Sequence, residues 1–260
     1  MGRTLEESIE ETVELIRSGE RIVVFTGAGV STESGLPDFR GTGGLWTTYN
    51  PDDFTYQKFL RDPEVRKKQW KMFSMFRMVT GVKPNPAHYA IADLERMGKL
   101  DCVITQNVDG MHQRAGVSAE KVIELHGSMA QVKCLSCQRR YPIEEVAQRV
   151  EAGEEEPRCA ECGGLLKSAT ISFGEPMPVE ETAKAERCSR GCDLMLVVGS
   201  SLVVYPAAYM PIYAMEAGAK LVIINIGSTA MDGYAKVVIN EKAGEVLPEI
   251  IRRVKEREGV

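Results

Sequence analysis

The chain has 260 residues, 43% hydrophobic and 27% charged, which suits one large domain or one with a smaller companion and excludes a disordered or collagen-like polymer. Thirty-two basic against 37 acidic residues leave a net charge of −5, which argues against a surface devoted to nucleic acid. No apolar run approaches the roughly 20 residues of a membrane span, and the acidic start MGRTLEESIEE is unlike a signal peptide, so a soluble, cytoplasmic protein with no membrane and no direct nucleic-acid partner is expected. Gly2 lacks the Ser or Thr at position 6 that myristoylation needs, because Glu6 stands there.

Thr4-Leu5-Glu6-Glu7 has the form of a capping box, opening a helix that Gly19 stops. The β-branched run 22–25 reads as a strand that delivers Gly27-Ala28-Gly29 to a helix N-terminus, where backbone N–H groups can approach a pyrophosphate. A full G-x-G-x-x-G would need glycine where Thr32 stands, and the acidic residue about 20 positions later is missing, so the dehydrogenase form of the motif is broken. A tight turn without a ligand accounts for these glycines equally well. Residues 27–41, GAGVSTESGLPDFRG, form a polar loop long enough for an active-site lid. In it Asp38 and Arg40 can bond a ribose or phosphate, or pair with each other, and Phe39 can shield a reactive centre. A Met- and Phe-rich helical stretch, 69–79, reads as plain core or as an apolar wall.

Asn85-Pro86 starts a helix running through Leu94 to Gly98, with His88 on its surface or in packing. Strand 102–104 leads into TQNVDGMHQRAG, residues 105–116. Gln106, Asn107 and Asp109 thereby gather at a strand's carboxyl end, where a doubly wound sheet holds its ligands, and an amide with a carboxylate suits a carboxamide and a ribose hydroxyl. His112 reads as packing or bonding its own loop. His126, near the end of another apolar stretch, is either a general base or structural. Cys134-x-x-Cys137 and Cys159-x-x-Cys162 are separated by 21 residues and fit a tetrahedral four-thiolate zinc site, structural because no position is left open. Lys133, Arg139, Arg140 and Arg158 are near enough in sequence to offset its charge. The acidic segment 151–156 reads as a solvated loop, and Cys102, Cys188 and Cys192 as packing thiols. Strand 195–198 precedes Gly199-Ser200-Ser201, Pro206 opens a helix that Gly218 closes, and strand 221–224 precedes Asn225. Alternating strands and helices predict an α/β fold with a doubly wound parallel sheet, interrupted by two excursions that build a small second domain.

Together these residues resemble the sirtuins, the NAD-dependent protein lysine deacylases. The matching segments keep the family's order: 27–41, 105–116, His126-Gly127, the four cysteines, Phe173-Gly174-Glu175-Pro176, GSSLVVYPAA at 199–208, Asn225, and Ala243-Gly244-Glu245-Val246. The resemblance implies a Rossmann-like NAD-binding domain (1–33, 85–127 and 171–260), a smaller inserted domain with a zinc ribbon (34–84 and 128–170), and a cleft between them. NAD is then expected at Gly27, Ala28, Gly29, Ser31, Asp38, Phe39, Arg40, Gln106, Asn107, Asp109, Gly199, Ser200, Ser201, Asn225, Lys242 and Ala243. An acetyl-lysine peptide is expected to add a strand against Phe173, Gly174, Glu175, Val203, Val204 and Tyr205. By the same resemblance Asn107 and Asp109 hold nicotinamide and ribose, and His126 deprotonates a ribose hydroxyl so that the acetyl group migrates. The products are nicotinamide, free lysine and 2'-O-acetyl-ADP-ribose. Family members that prefer acidic acyl groups carry Tyr-x-x-Arg, whereas here Ser74 stands three residues before Arg77, so neutral acyl groups, acetyl first, are expected. Removal of longer neutral acyl groups, mono-ADP-ribosyl transfer, an NAD-linked dehydrogenase and a non-catalytic zinc-ribbon binding module are the rival readings.

Overall fold

The computed structural model describes residues 3–41, 43–76 and 81–259; Gly2, Arg77 and Val79, weighed above, lie outside the described residues. Six strands, numbered in chain order, form one parallel sheet: β1 (Ile22–Thr26), β2 (Leu100–Thr105), β3 (Val122–Glu124), β7 (Leu194–Val198), β8 (Lys220–Ile224) and β9 (Val237–Ile239). Their spatial order, β3-β2-β1-β7-β8-β9, reverses between β1 and β7, the switch point at which an open α/β sheet leaves a crevice. The reason for continuous apolar runs is visible in β1. Ile22 and Val24 enter one core, while Val23 and Phe25 enter the other, so neither face meets water.

Helices α1 (Leu5–Ser18), α4 (Pro86–Arg96) and α9 (Ala243–Glu258) pack together on one face, and α7 (Val179–Gly191) and α8 (Tyr209–Glu216) on the other. The capping box of α1 is present, with the Glu7 N–H donating to Thr4 Oγ1 at 3.2 Å and the Thr4 N–H to Glu7 Oε2 at 2.8 Å. Asn85 caps α4 likewise, and its own N–H donates to His88 Nδ1 at 3.3 Å, so His88 is a buried part of the cap rather than a surface residue.

A second, antiparallel sheet has the order β5-β4-β6: β4 (Gly127–Cys134), β5 (Arg140–Pro142) and β6 (Leu166–Thr170). The α2 helix (Tyr56–Arg61) packs on α3 (Pro63–Phe76), and α3 packs against α6 (Ile143–Glu151), which lies on β4 and β5. Gly127 (φ +70°) leads from His126 into β4, and a Cβ there would fall 2.0 Å from the Ala169 carbonyl oxygen of β6. Only glycine lets the two strands meet at that point.

The helix that the glycine segment opens is a 3-10 helix, Ala28–Ser34. Two expectations are corrected. Pro206 lies in the turn before α8, which begins at Tyr209. The acidic segment is not merely solvated: Glu151 ends α6, Glu154 takes Arg149 at 2.7 Å, and Glu156 pairs with Arg66, whose side chain is buried.

Candidate active site

A cleft of about 860 Å³ lies between the two sheets, at the carboxyl ends of β1, β2 and β7. Every residue expected at the cofactor and peptide positions lines it: the glycine segment 27–29, Ser31, Asp38, Phe39, Arg40, Gln106, Asn107, Asp109, His126, Phe173, Gly174, Glu175, the 199–205 segment, Asn225, Lys242 and Ala243. The turns after β1 and β7 are fused. The Gly29 N–H donates to the Gly199 carbonyl at 2.9 Å, and a Cβ on Gly199 (φ +63°) would fall 2.1 Å from Val30 N.

Gln106 organises the centre. Its side-chain amide donates to Ser200 Oγ at 3.0 Å, and its backbone carbonyl lies 3.0 Å from His126 Nδ1. A carbonyl only accepts, so Nδ1 carries the proton and Nε2 is the ring's acceptor. Burial holds His126 below its ordinary pKa of 6.5, with the Gln106 carbonyl opposing, so the ring is neutral at pH 7.

Behind this lies a polar relay that links β1, β2 and α4. The Ser31 hydroxyl donates to Asp109 Oδ2 at 2.8 Å and accepts from the Asn107 amide at 3.2 Å and from His88 Nε2 at 3.4 Å. The Asn107 amide also donates to the Gly27 carbonyl at 3.1 Å, and Asp109 Oδ1 takes the Met111 N–H at the start of α5 (Met111–Ala115). The Thr26 hydroxyl donates to Thr105 Oγ1 at 2.8 Å and lies 2.9 Å from His112 Nε2. His112 therefore bonds across to β1 rather than to its own loop. Burial lowers His88 to about 4, with Asp109 opposing, and lowers His112 to about 3, with His88 adding to the effect. Thr26 and Thr105 were not singled out in the sequence, since a threonine ending a strand carries no distinctive spacing.

The lid segment is held by its own contacts. Asp38 Oδ1 takes the Gly41 N–H at 2.7 Å instead of pairing with Arg40. Phe39 packs on Trp46 at 5.2 Å, and Trp46 on Phe173 at 5.9 Å. The described side chains of the Met- and Phe-rich stretch divide between the two roles read for it. Trp70 is core, packed with Val132 and Tyr141, whereas Met72 and Phe73 reach the cleft.

Glu175 lines the cleft, but its side chain turns away into an ion-pair cluster. Its side chain, 6% exposed, meets Lys167 at 2.9 Å and Lys133 at 3.0 Å and accepts the Ser172 N–H at 3.0 Å; Lys167 is 1% exposed. Burial would raise the Glu175 carboxyl, but Lys167, the Ser172 N–H and Lys133 together hold it below the usual carboxylate range. This pair pins the 172–175 segment to β4 and β6. Lys133 is accordingly committed to Glu175 rather than to the cysteines, while Arg139 pairs with Glu161 and Arg158 with Glu156.

Cys134, Cys137, Cys159 and Cys162 bring their sulfurs within 4.8 Å of one another, with Cys134–Cys162 at 3.5 Å and Cys137–Cys159 at 3.6 Å. These separations are far beyond a disulfide bond and near the ~3.8 Å edge of a zinc-thiolate tetrahedron. The Tyr141 hydroxyl, 3.1 Å from Cys159 Sγ, favours the thiolate and draws that thiol down to about 6. The residues present fit a structural zinc ion.

Among known proteins, the sequence model of the Sir2 family matches residues 27–206. The chain is 45% identical over 250 residues to the NAD-dependent protein deacetylase of Thermodesulfovibrio yellowstonii, covering 96% of each. It is 45% identical over 253 residues to NAD-dependent protein deacylase 2 of Archaeoglobus fulgidus, covering 96% of this chain and 98% of that one. A solved Sir2 structure with a deacetylated p53 peptide and 3'-O-acetyl ADP-ribose matches with a TM-score of 0.86 at 37% identity, covering 97% of this chain and 99% of that one.

Proposed function

The chain belongs to the Sir2 family, and from that footing we propose that it removes acetyl groups from lysine side chains of proteins with NAD as co-substrate. The products are free lysine, nicotinamide and 2'-O-acetyl-ADP-ribose. When bound, NAD supplies an activated bond, because its positively charged nicotinamide is a good leaving group. The work of the protein is to place the acetyl oxygen beneath the ribose carbon and keep water away, a task of proximity and exclusion.

The observation that carries this reading is the His126 ring lining the cleft with its Nδ1 3.0 Å from the Gln106 carbonyl, an arrangement that leaves Nε2 as the acceptor of the neutral ring. We assign His126 as the base that takes a proton from a ribose hydroxyl. Asn107 and Asp109, tied together through Ser31, hold the nicotinamide and ribose, and Phe39 with Trp46 screens the reacting carbon. Gly27, Ala28, Gly29, Arg40, Gln106, Gly199, Ser200 and Ser201 would take the phosphates and nearer ribose, and Asn225, Lys242 and Ala243 the adenosine end. Main-chain groups of Phe173-Gly174 and Val203-Val204-Tyr205 would pair with the peptide, while Glu175 positions its segment from behind. We assign 1–33, 85–127 and 171–260 to the NAD-binding domain and 34–84 and 128–170 to the smaller one. Met72 and Phe73 on the cleft wall favour neutral acyl groups, and the deacylase name of the Archaeoglobus relative supports longer chains as a second use of the same site.

Among the described residues no helix is long and apolar enough to cross a membrane. We assign the protein to the cytoplasm, a reducing compartment that keeps seven cysteines free and a thiolate cluster intact. The test is to incubate the protein with an acetyl-lysine peptide, with and without NAD, and to weigh every product. One nicotinamide and one acetyl-ADP-ribose per lysine freed is the expected result. Equal deacetylation without NAD overturns the proposal.

A further inference from the structure

Tyr205, at the rim of the cleft, is 55% exposed and is the first rung of a tyrosine ladder. Its ring lies edge-on to Tyr209 at 4.8 Å, and Tyr209 stacks on Tyr213 at 6.0 Å. The four-residue spacing sets Tyr209 and Tyr213 on one face of α8 and brings Tyr205, in the turn before it, into line. Tyr209 is 43% exposed. At the far end Arg190 of α7 lays its guanidinium 4.3 Å from the centre of the Tyr213 ring, held there by Glu186 at 2.9 Å.

This surface is continuous with the 203–205 wall against which the peptide is proposed to lie. The molecule also shows what its rungs accept. A guanidinium already occupies Tyr213, and the exposed parts of the Tyr205 and Tyr209 rings offer the same kind of π surface to a second cation. Tyrosines present such area with little rotamer entropy to lose, and a net charge of −5 favours the approach of a cationic segment. The open rungs are reached within a few extended residues of Tyr205, at about 3.3 Å each.

We propose that the ladder is a docking surface for basic side chains of the protein substrate, arginine before lysine, within about four residues of the acylated lysine. The proposal rests on the deacylase reading of the cleft and adds to it a preference for substrates with basic flanks. The ladder acts on binding, and Tyr209 touches neither the cofactor positions nor the reacting atoms.

Acetyl-lysine peptides of equal length carrying arginine, leucine, alanine or glutamate at the flanking positions test it on the zinc-loaded protein. Fluorescence anisotropy reads their binding, and NAD-dependent release of nicotinamide reads turnover separately. Wild type is expected to bind the arginine peptides about two- to fivefold more tightly than the alanine peptides, with kcat unchanged. Tyr209→Ala should abolish that ratio, and Tyr209→Phe, which keeps the ring, should retain it. Equal binding of arginine and alanine peptides, leucine matching arginine, or an arginine preference that survives Tyr209→Ala overturns the ladder. Absence of NAD-dependent turnover on every peptide overturns the functional reading instead, since the anisotropy result stands whether or not turnover occurs.

Discussion

Every residue of β1 and β7 is buried, whereas β4 exposes Ala130 and Gln131 in mid-strand and buries only Val132 and Cys134. The six-stranded sheet carries an apolar core on each face. The three-stranded sheet shares one small core with α3 and α6, and two members of that core, Cys134 and Cys159, belong to the thiolate cluster. Apolar burial, at roughly 25 cal/mol per Å², suffices for the first sheet. The second is too small for that and relies on metal ligation and ion pairs such as Lys167–Glu175. The division has a functional meaning. Most of the proposed cofactor contacts stand on the self-sufficient sheet and the proposed base sits where it gives way to β4, while the 172–175 segment that faces the peptide is pinned to the dependent one.

Removing the metal is the strongest way to break this comparison. A chelator should cost the small sheet about 10 kcal/mol or more of ligation energy, and Cys134→Ser, which leaves three thiolates, a part of it. Amide exchange should then become fast across residues 128–170 while 22–26 and 194–198 stay protected. Loss of protection in both sheets together would show that they fold as one unit. His126→Ala comes next. It should lower kcat about 10²- to 10⁴-fold while leaving zinc content and amide protection unchanged in both sheets. In the intact protein, kcat should hold at pH 7 and fall only below the ordinary histidine pKa of 6.5, because burial lowers that of His126; a fall beginning above pH 7 contradicts the assignment.

Glu175→Gln leaves Lys167 buried beside a neutral amide and should cost about 3 kcal/mol of stability. It should also raise the peptide KM by more than it changes kcat. The pair Lys167→Met with Glu175→Leu should recover most of the stability, which denaturant midpoints will show. The smallest effect belongs to the large sheet. His88 and His112 are lowered by burial to about 4 and about 3, below the unfolded value near 6.5. Their contribution is therefore fully present above pH 6.5 and is lost as pH falls toward those values, at about 1.4 kcal/mol per unit for each. A His112→Gln variant, which keeps a donor near the Nε2 position, should flatten the denaturant midpoint between pH 7 and 5.

The sequence disclosed what depends on local pattern. The buried runs of β1, β2, β7 and β8, the capping box of α1, the Asn85-Pro86 start of α4 and the paired cysteines each depend on neighbours in the chain, and each was legible. The three-residue strands β3 and β9 were not, because so short a run has no period to read. Contacts made across the fold were equally hidden. Glu175 and Lys167 lie eight positions apart with nothing to mark them as partners, and Lys133 adjoins Cys134 in sequence yet serves a carboxylate. The packing of His112 was legible, but its bond to Thr26 was hidden for the same reason, since Thr26 lies on a strand far earlier in the chain.

One residue, Gln106, addresses both ends of the cleft through different atoms. Its side chain reaches Ser200, but the imidazole of His126 is oriented by its main-chain oxygen. Replacing Gln106 would therefore disturb the loop after β7 and leave the histidine tautomer in place. A scan of single substitutions will report the glutamine as a cofactor residue and miss its other office, because a peptide carbonyl is common to all twenty amino acids and is invisible to mutation.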